Sequence, residues 1–156
     1  MNLAQSLSVD QHTQQIYLLN SEHGRIEIHH NEQYLWMTID GVIQSAIERT
    51  PPYRPVLPHC WVMLLPLLHD KAPTQVLELG GGGQAMQRYL QLSHPAIDFI
   101  SVELNPDVIH AVHQCFPSSD HLNIVQQDAF DFIEHCVSTK RMFDWILVDL
   151  FHGRDT

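Results

Sequence analysis

Apolar and polar positions alternate in short runs through residues 15–47, the period of two expected of half-buried antiparallel strands. The pattern predicts strands over residues 25–29, 34–39 and 42–47, with turns at Asn31-Glu32 and at Asp40-Gly41. The second turn is a two-residue hairpin signal, because Asp and Gly both tolerate positive φ. A meander with so few apolar residues does not hold by itself, so it is expected to pack on the main fold or on a second subunit. The four prolines between Thr50 and Pro58 then predict an extended linker. In residues 59–69, Trp61, Leu64, Leu65 and Leu68 recur at helical spacing, which predicts a core-packed helix with an irregularity at Pro66.

From Val76 the pattern changes to strand followed by helix. The apolar run Val76, Leu77, Leu79 breaks into Gly80-Gly81-Gly82-Gly83 and resumes as a helix over residues 84–92, with Met86, Tyr89 and Leu90 on one stripe. Glycines there permit a tight turn and let a ligand lie against bare backbone. Further strands are predicted over residues 99–102, 123–125 and 145–148, and a helix over about residues 131–137. Asn105-Pro106-Asp107 opens another helix with an N-cap, a proline at the first helical position and an acid at the positive dipole end. This rhythm predicts an α/β fold with a parallel sheet and right-handed crossovers. The expected organisation is a small antiparallel β-hairpin domain over residues 1–50, a linker and helix over 51–75, and a Rossmann-like domain over 76–156 that stops after its fourth strand.

Composition narrows the partners. Eighteen acidic against eight basic residues give a formal charge of −10, which disfavours nucleic acid and anionic membrane surfaces and suits a cationic small molecule. Cys60, Cys115 and Cys136 are odd in number and widely spaced, without a CxxC pair, so neither a disulfide framework nor a zinc site is indicated and a reducing cytoplasm is expected. Residues 1–10 lack the basic lead and apolar stretch of a targeting segment. Of twelve histidines only His110 and His113 share helical spacing, and no metal is expected.

Ligands of open parallel sheets bind at the C-terminal strand ends, where the strand order reverses. This sequence sets a glycine turn and three acids, Glu103, Asp128 and Asp149, at successive ends. Gly80, Gly82 and Ala85 satisfy the loose dinucleotide pattern GxGxxA, with Glu103 at the distance of a ribose-binding acid. Glu78 ahead of Gly80 and the further acid after the third strand favour an adenosyl sulfonium instead: one acid accepts from ribose hydroxyls, the other from an adenine amino group. A carboxylate-rich pocket also suits a sulfonium and repels a pyrophosphate.

The runs Leu35-Trp36-Met37-Thr38-Ile39-Asp40-Gly41-Val42-Ile43-Gln44, Val76 to Gly82, Val102-Glu103-Leu104-Asn105-Pro106-Asp107, Asp128-Ala129-Phe130-Asp131 and Asp144-Trp145-Ile146-Leu147-Val148-Asp149 together resemble the spermidine synthase (aminopropyltransferase) family. The resemblance implies an S-adenosylmethionine-dependent methyltransferase-like Rossmann fold behind an N-terminal β domain. It implies decarboxylated S-adenosylmethionine or S-adenosylmethionine as co-substrate, a polyamine acceptor, and homodimers or higher homo-oligomers. By motif position it makes Asp149 the catalytic base. It assigns Gln44, Glu78, Gly80, Gly81, Gly82, Glu103, Asp128 and Ala129 to the donor, and Tyr53 and His59 to the acceptor side. The chain departs from the family where Gly83-Gln84 replaces Asp-Gly, where residues 53–60 lack the family's acids, and where Leu150-Phe151-His152 follows Asp149, leaving one acid of two. A methyltransferase and a catalytically inactive homologue acting as a binding or assembly module are the alternatives. A nicotinamide dehydrogenase rests on GxGxxA alone.

Overall fold

A computed structural model describes residue 7 and residues 12–68, 72–117 and 121–150. The predicted end of the first helix at His69, and Phe151 and His152 after the last strand, lie outside the described residues.

The N-terminal part is a four-stranded antiparallel meander in sequential order, β1 (Gln14–Ser21), β2 (Gly24–His30), β3 (Tyr34–Ile39) and β4 (Val42–Glu48). Asp40 and Gly41 both take positive φ in the β3–β4 turn, and Asp40 Oδ1 accepts from the Arg25 amide at 3.0 Å, which ties the turn to β2. The strand β1 is an addition to the pattern-based expectation. It is an edge strand with Ile16 and Leu18 exposed, so its alternation carries little apolar contrast. Alternation sends Ile26, Ile28, Leu35, Met37 and Ile47 into one core with Val108, Ala111 and Val112, so the meander packs on the main fold. Its other face buries Trp36 and Ala46 beneath Leu7.

The linker leads to α1 (Pro58–Met63), which gives way at once to a 3-10 turn, Leu65–Leu68. This corrects the expected core-packed helix: Leu64 is buried, but Leu65 and Leu68 are 52% and 76% exposed and Trp61 is 38% exposed. Proline at 66 removes a helical donor, so the stripe rotates out of register after Leu64.

The second sheet follows as β5 (Gln75–Leu79), α2 (Ala85–Ser93), β6 (Asp98–Glu103), α3 (Pro106–Cys115), β7 (Ile124–Gln126), α4 (Ala129–Thr139) and β8 (Trp145–Val148). All its pairings are parallel, in the order β7-β6-β5-β8. Alternation divides its two faces: Val76, Phe99 and Leu147 pack on α1 and α2 through Cys60, Leu64, Met86 and Leu90, whereas Leu77, Leu79, Ile100 and Val102 pack on α4 through Ala129, Phe132 and Cys136. The chain moves outward from β5 to β7 and then returns to the other side of β5. The order therefore reverses between β5 and β8, which brings Gly80 and Asp149 together at the switch point.

No described helix is long and apolar enough to cross a membrane. Cys60, Cys115 and Cys136 are free thiols.

Candidate active site

The glycine turn is held from two sides. Gly80 and Gly81 both donate to the Val102 carbonyl, at 2.9 and 3.1 Å, which ties the end of β5 to β6. Gly80 has φ 84°, and a Cβ there would sit 2.8 Å from the carbonyl carbon of Asp149, so the turn and the end of β8 meet only because residue 80 lacks a side chain. Gly83 lies flush against β4: a Cβ would come within 2.5 Å of the Ser45 Cβ. The run from Gly80 to Gly83 is thus wedged between both sheets.

Glu103, at the end of β6, accepts from the Gly82 amide through Oε2 at 2.9 Å and from the Asn105 amide through Oε1 at 2.8 Å. Each carboxylate oxygen has a second acceptor position, so two hydroxyls can still be taken in the direction of the turn. Asp128 is the N-cap of α4, its Oδ1 accepting from Phe130 and Asp131 amides at 2.8 and 3.2 Å, and Ala129 is the first, buried residue of that helix. Asp128 Oδ2 is left out of these caps. Asp149 has its amide bound to the Leu79 carbonyl at 2.9 Å, and its Oδ2 lies 3.3 Å from His59 Nε2 on α1.

Glu78 stands apart from these acids. It is 1% exposed, on the α2 face of β5 beneath the glycine turn. Burial, with the nearby charges of Asp149 and Glu103, pushes its carboxyl up to about 8, against a smaller opposing effect of the Ser101 hydroxyl. Ser101 Oγ contacts both Glu78 Oε2 and Gln87 Oε1, the latter at 2.9 Å. One hydroxyl has one hydrogen, so the arrangement closes when a protonated Glu78 donates to Ser101 and Ser101 donates to Gln87. Gln87 Nε2 in turn donates to the Phe99 carbonyl at 3.2 Å. Cys60, buried next to His59, has its thiol pushed up to about 12 by burial and by the charges of Asp149 and Glu78, so it is no nucleophile.

The structure therefore gathers Gly80, Gly81, Gly82, Glu103, Asp149 and His59 around one end of the parallel sheet, with Asp128 one strand further out. Gln44 is not tied to this group; its Nε2 faces the Val42 carbonyl at 3.4 Å. Tyr53 takes φ 55° and packs, half-buried, against the core shared by the meander and α3. Sequence reasoning missed Arg88, Ser101, Gln87 and Ser45. Arg88 is 2% exposed, donates through Nε to the Gly83 carbonyl at 3.3 Å and through Nη1 to the Pro117 carbonyl, and lies over the Phe116 ring. A lone Arg on a helix carries no sequence signal for that role. Gln84 takes the left-handed conformation, φ 53°, with both carboxamide atoms buried and unpartnered. In the family's Gly-Gly-Gly-Asp-Gly run this position is glycine, the residue that adopts such a backbone freely. Among the described residues no group of three or more His, Cys, Asp or Glu converges as a metal site. A groove lined by Val62, Met63, Pro66 and residues 144–147 borders the early part of β8 and includes none of these site residues.

A parallel sheet reversing at a glycine turn, with acids at successive strand ends and an antiparallel meander packed in front, defines a methyltransferase-like Rossmann module. Among solved structures the fold is that of spermidine synthases. One, from Thermotoga maritima, superposes with a TM-score of 0.66 over 88% of this chain and 48% of its own, at 23% identity. Another, in complex with the transition-state analogue AdoDATO, superposes at 0.65 over 86% of this chain and 47% of its own, at 22% identity. In sequence, a polyamine aminopropyltransferase of Chromobacterium violaceum is 31% identical over 114 residues, 71% of this chain and 42% of the relative. No protein-family model matches. The chain is thus similar in sequence to polyamine aminopropyltransferases and shares the fold of spermidine synthases, and it spans about half the length of the relatives it matches.

Proposed function

We propose that this chain binds an adenosyl sulfonium, decarboxylated S-adenosylmethionine or S-adenosylmethionine, at the C-terminal end of its parallel sheet, and transfers an alkyl group with Asp149 as base. The observation that carries the reading is Glu103, whose two oxygens are pinned by the Gly82 and Asn105 amides and so present their remaining acceptor positions at the glycine turn. In this reading Glu103 accepts from both ribose hydroxyls and Asp128, with Ala129, holds the adenine amino group. Gly80 to Gly82 let the donor lie against backbone, Glu78 supports the turn from beneath, and Gln44 closes on the donor from β4. Tyr53 and His59 border the acceptor side.

In aminopropyl transfer the acceptor amine's lone pair attacks the methylene carbon beside the sulfonium. The carbon–sulfur bond breaks, its electrons neutralise the sulfur to give methylthioadenosine, and the N–H proton passes to Asp149. The family's assembly into homodimers or larger homo-oligomers and a cytoplasmic location belong to the same proposal.

One observation bears on the acceptor. Gly83 is packed so closely on Ser45 that the aspartate the family carries there has no room. An unpaired ammonium typically costs about 2–5 kcal/mol, which favours weak turnover of putrescine and keeps methyl transfer and a non-catalytic binding role as alternatives. Calorimetry with decarboxylated S-adenosylmethionine, S-adenosylmethionine and methylthioadenosine tests the reading, with Glu103→Gln as control. Binding that Glu103→Gln weakens supports it. No heat with any of the three at millimolar concentration refutes it. Product analysis with putrescine then separates aminopropyl transfer from methyl transfer.

A further inference from the structure

The backbone of Asp149 is fixed, but its carboxylate is not fixed by the backbone. The amide is held by the Leu79 carbonyl at 2.9 Å, and the carbonyl presses on Gly80, so the Cα cannot shift without disturbing the turn. The side chain is 39% exposed, and its described partner is His59 Nε2, 3.3 Å from Oδ2. His59 is itself well anchored. Its neighbour Cys60 is in the core with Leu64, and Trp61 donates from Nε1 to the Pro55 carbonyl at 2.8 Å and meets the Tyr89 ring edge-on at 5.3 Å between centroids. The imidazole is 47% exposed and the carboxylate 39%, so water reaches the pair.

We propose that His59 is the positioning residue for the base: its Nε2, 3.3 Å from Asp149 Oδ2, turns its N–H onto that oxygen in the working site and thereby aims Oδ1 at the acceptor's nucleophile. The inference rests on Asp149 acting as base and adds a second, side-chain anchor to it. No proton leaves His59 in this step; the acceptor's proton goes to Oδ1.

The test compares wild type, His59→Ala and His59→Gln with decarboxylated S-adenosylmethionine and putrescine, their folds checked by thermal melting. Glutamine keeps an N–H donor near the Nε2 position. His59→Ala is expected to lower kcat about 100-fold with the donor KM unchanged, the scale of a misaimed catalytic group, and His59→Gln to recover most of it. Equal kcat in wild type and His59→Ala, or equal losses in both variants, overturns the proposal. An imidazole 15N spectrum decides the positioning without turnover: a His59 Nε2–H slowed in exchange and lost in Asp149→Ala supports it, and an Nε2–H indifferent to Asp149 overturns it. A wild type that binds no adenosyl donor and forms no product removes the functional reading instead, while the spectrum still reports on the pair.

Discussion

Replacing Glu78 by Gln isolates the proton stored beneath the glycine turn. Glu78 is buried in the sheet, and its carboxyl is raised from 4.5 to about 8, chiefly by burial. A raised acid binds more protons folded than unfolded, so its contribution is fully present below the unfolded value and is lost as pH rises through the folded one. The full shift corresponds to about 5 kcal/mol, of which about 4 kcal/mol falls between about pH 5 and about pH 9. That is a large share of an ordinary domain's stability of about 5–15 kcal/mol. Glutamine mimics the protonated acid: its amide donates to Ser101 Oγ, which goes on donating to Gln87. Urea unfolding of both proteins across this range, taken as their difference at each pH, removes the common effect of His29, which burial lowers. The variant is expected to exceed wild type by about 1 kcal/mol near pH 5 and by about 5 kcal/mol near pH 9. Parallel curves would refute a protonated Glu78.

The close approach of Gly83 to Ser45 predicts that Gly83→Ala destabilises by about 1–3 kcal/mol and that Ser45→Gly restores part of the loss; additive effects in the double-mutant cycle would deny the contact. Asp144 Oδ2 accepts from the Thr74 amide and hydroxyl, both at 2.7 Å, and from the Gln75 amide at 3.0 Å, and these bonds hold its carboxyl below the usual range. A depressed acid stabilises above its unfolded value and loses that contribution as pH falls through the folded one. Asp144→Ala should therefore melt below wild type at neutral pH and converge with it in strong acid; a gap that persists in strong acid would contradict this account.

Legibility in the sequence followed the range of the forces involved. The period-two runs, the turn at Asp40-Gly41, the N-cap Asn105 and the glycine turn are local signals, and each stands where they predict, whereas the helix expected from about Asp131 begins at Ala129, capped by Asp128. The first helix failed at Leu65 and Leu68 because spacing alone does not say where Pro66 turns the stripe away from the core. The strand β1 was missed because an edge strand buries too little to sharpen its alternation.

By itself, the sequence determined the α/β class, the front meander and the strand ends that carry Gly80, Glu103, Asp128 and Asp149, because backbone periodicity and terminus chemistry are set by near neighbours in the chain. Only the tertiary structure decided which distant residues meet: His59 with Asp149, Ser45 with Gly83, and Glu78 with Ser101 and Gln87. Those contacts follow from the order β7-β6-β5-β8 and from the packing of α1 and the meander on it. Burial, which alone turns Glu78 from an ordinary acid into a stored proton, is a property of the packed whole.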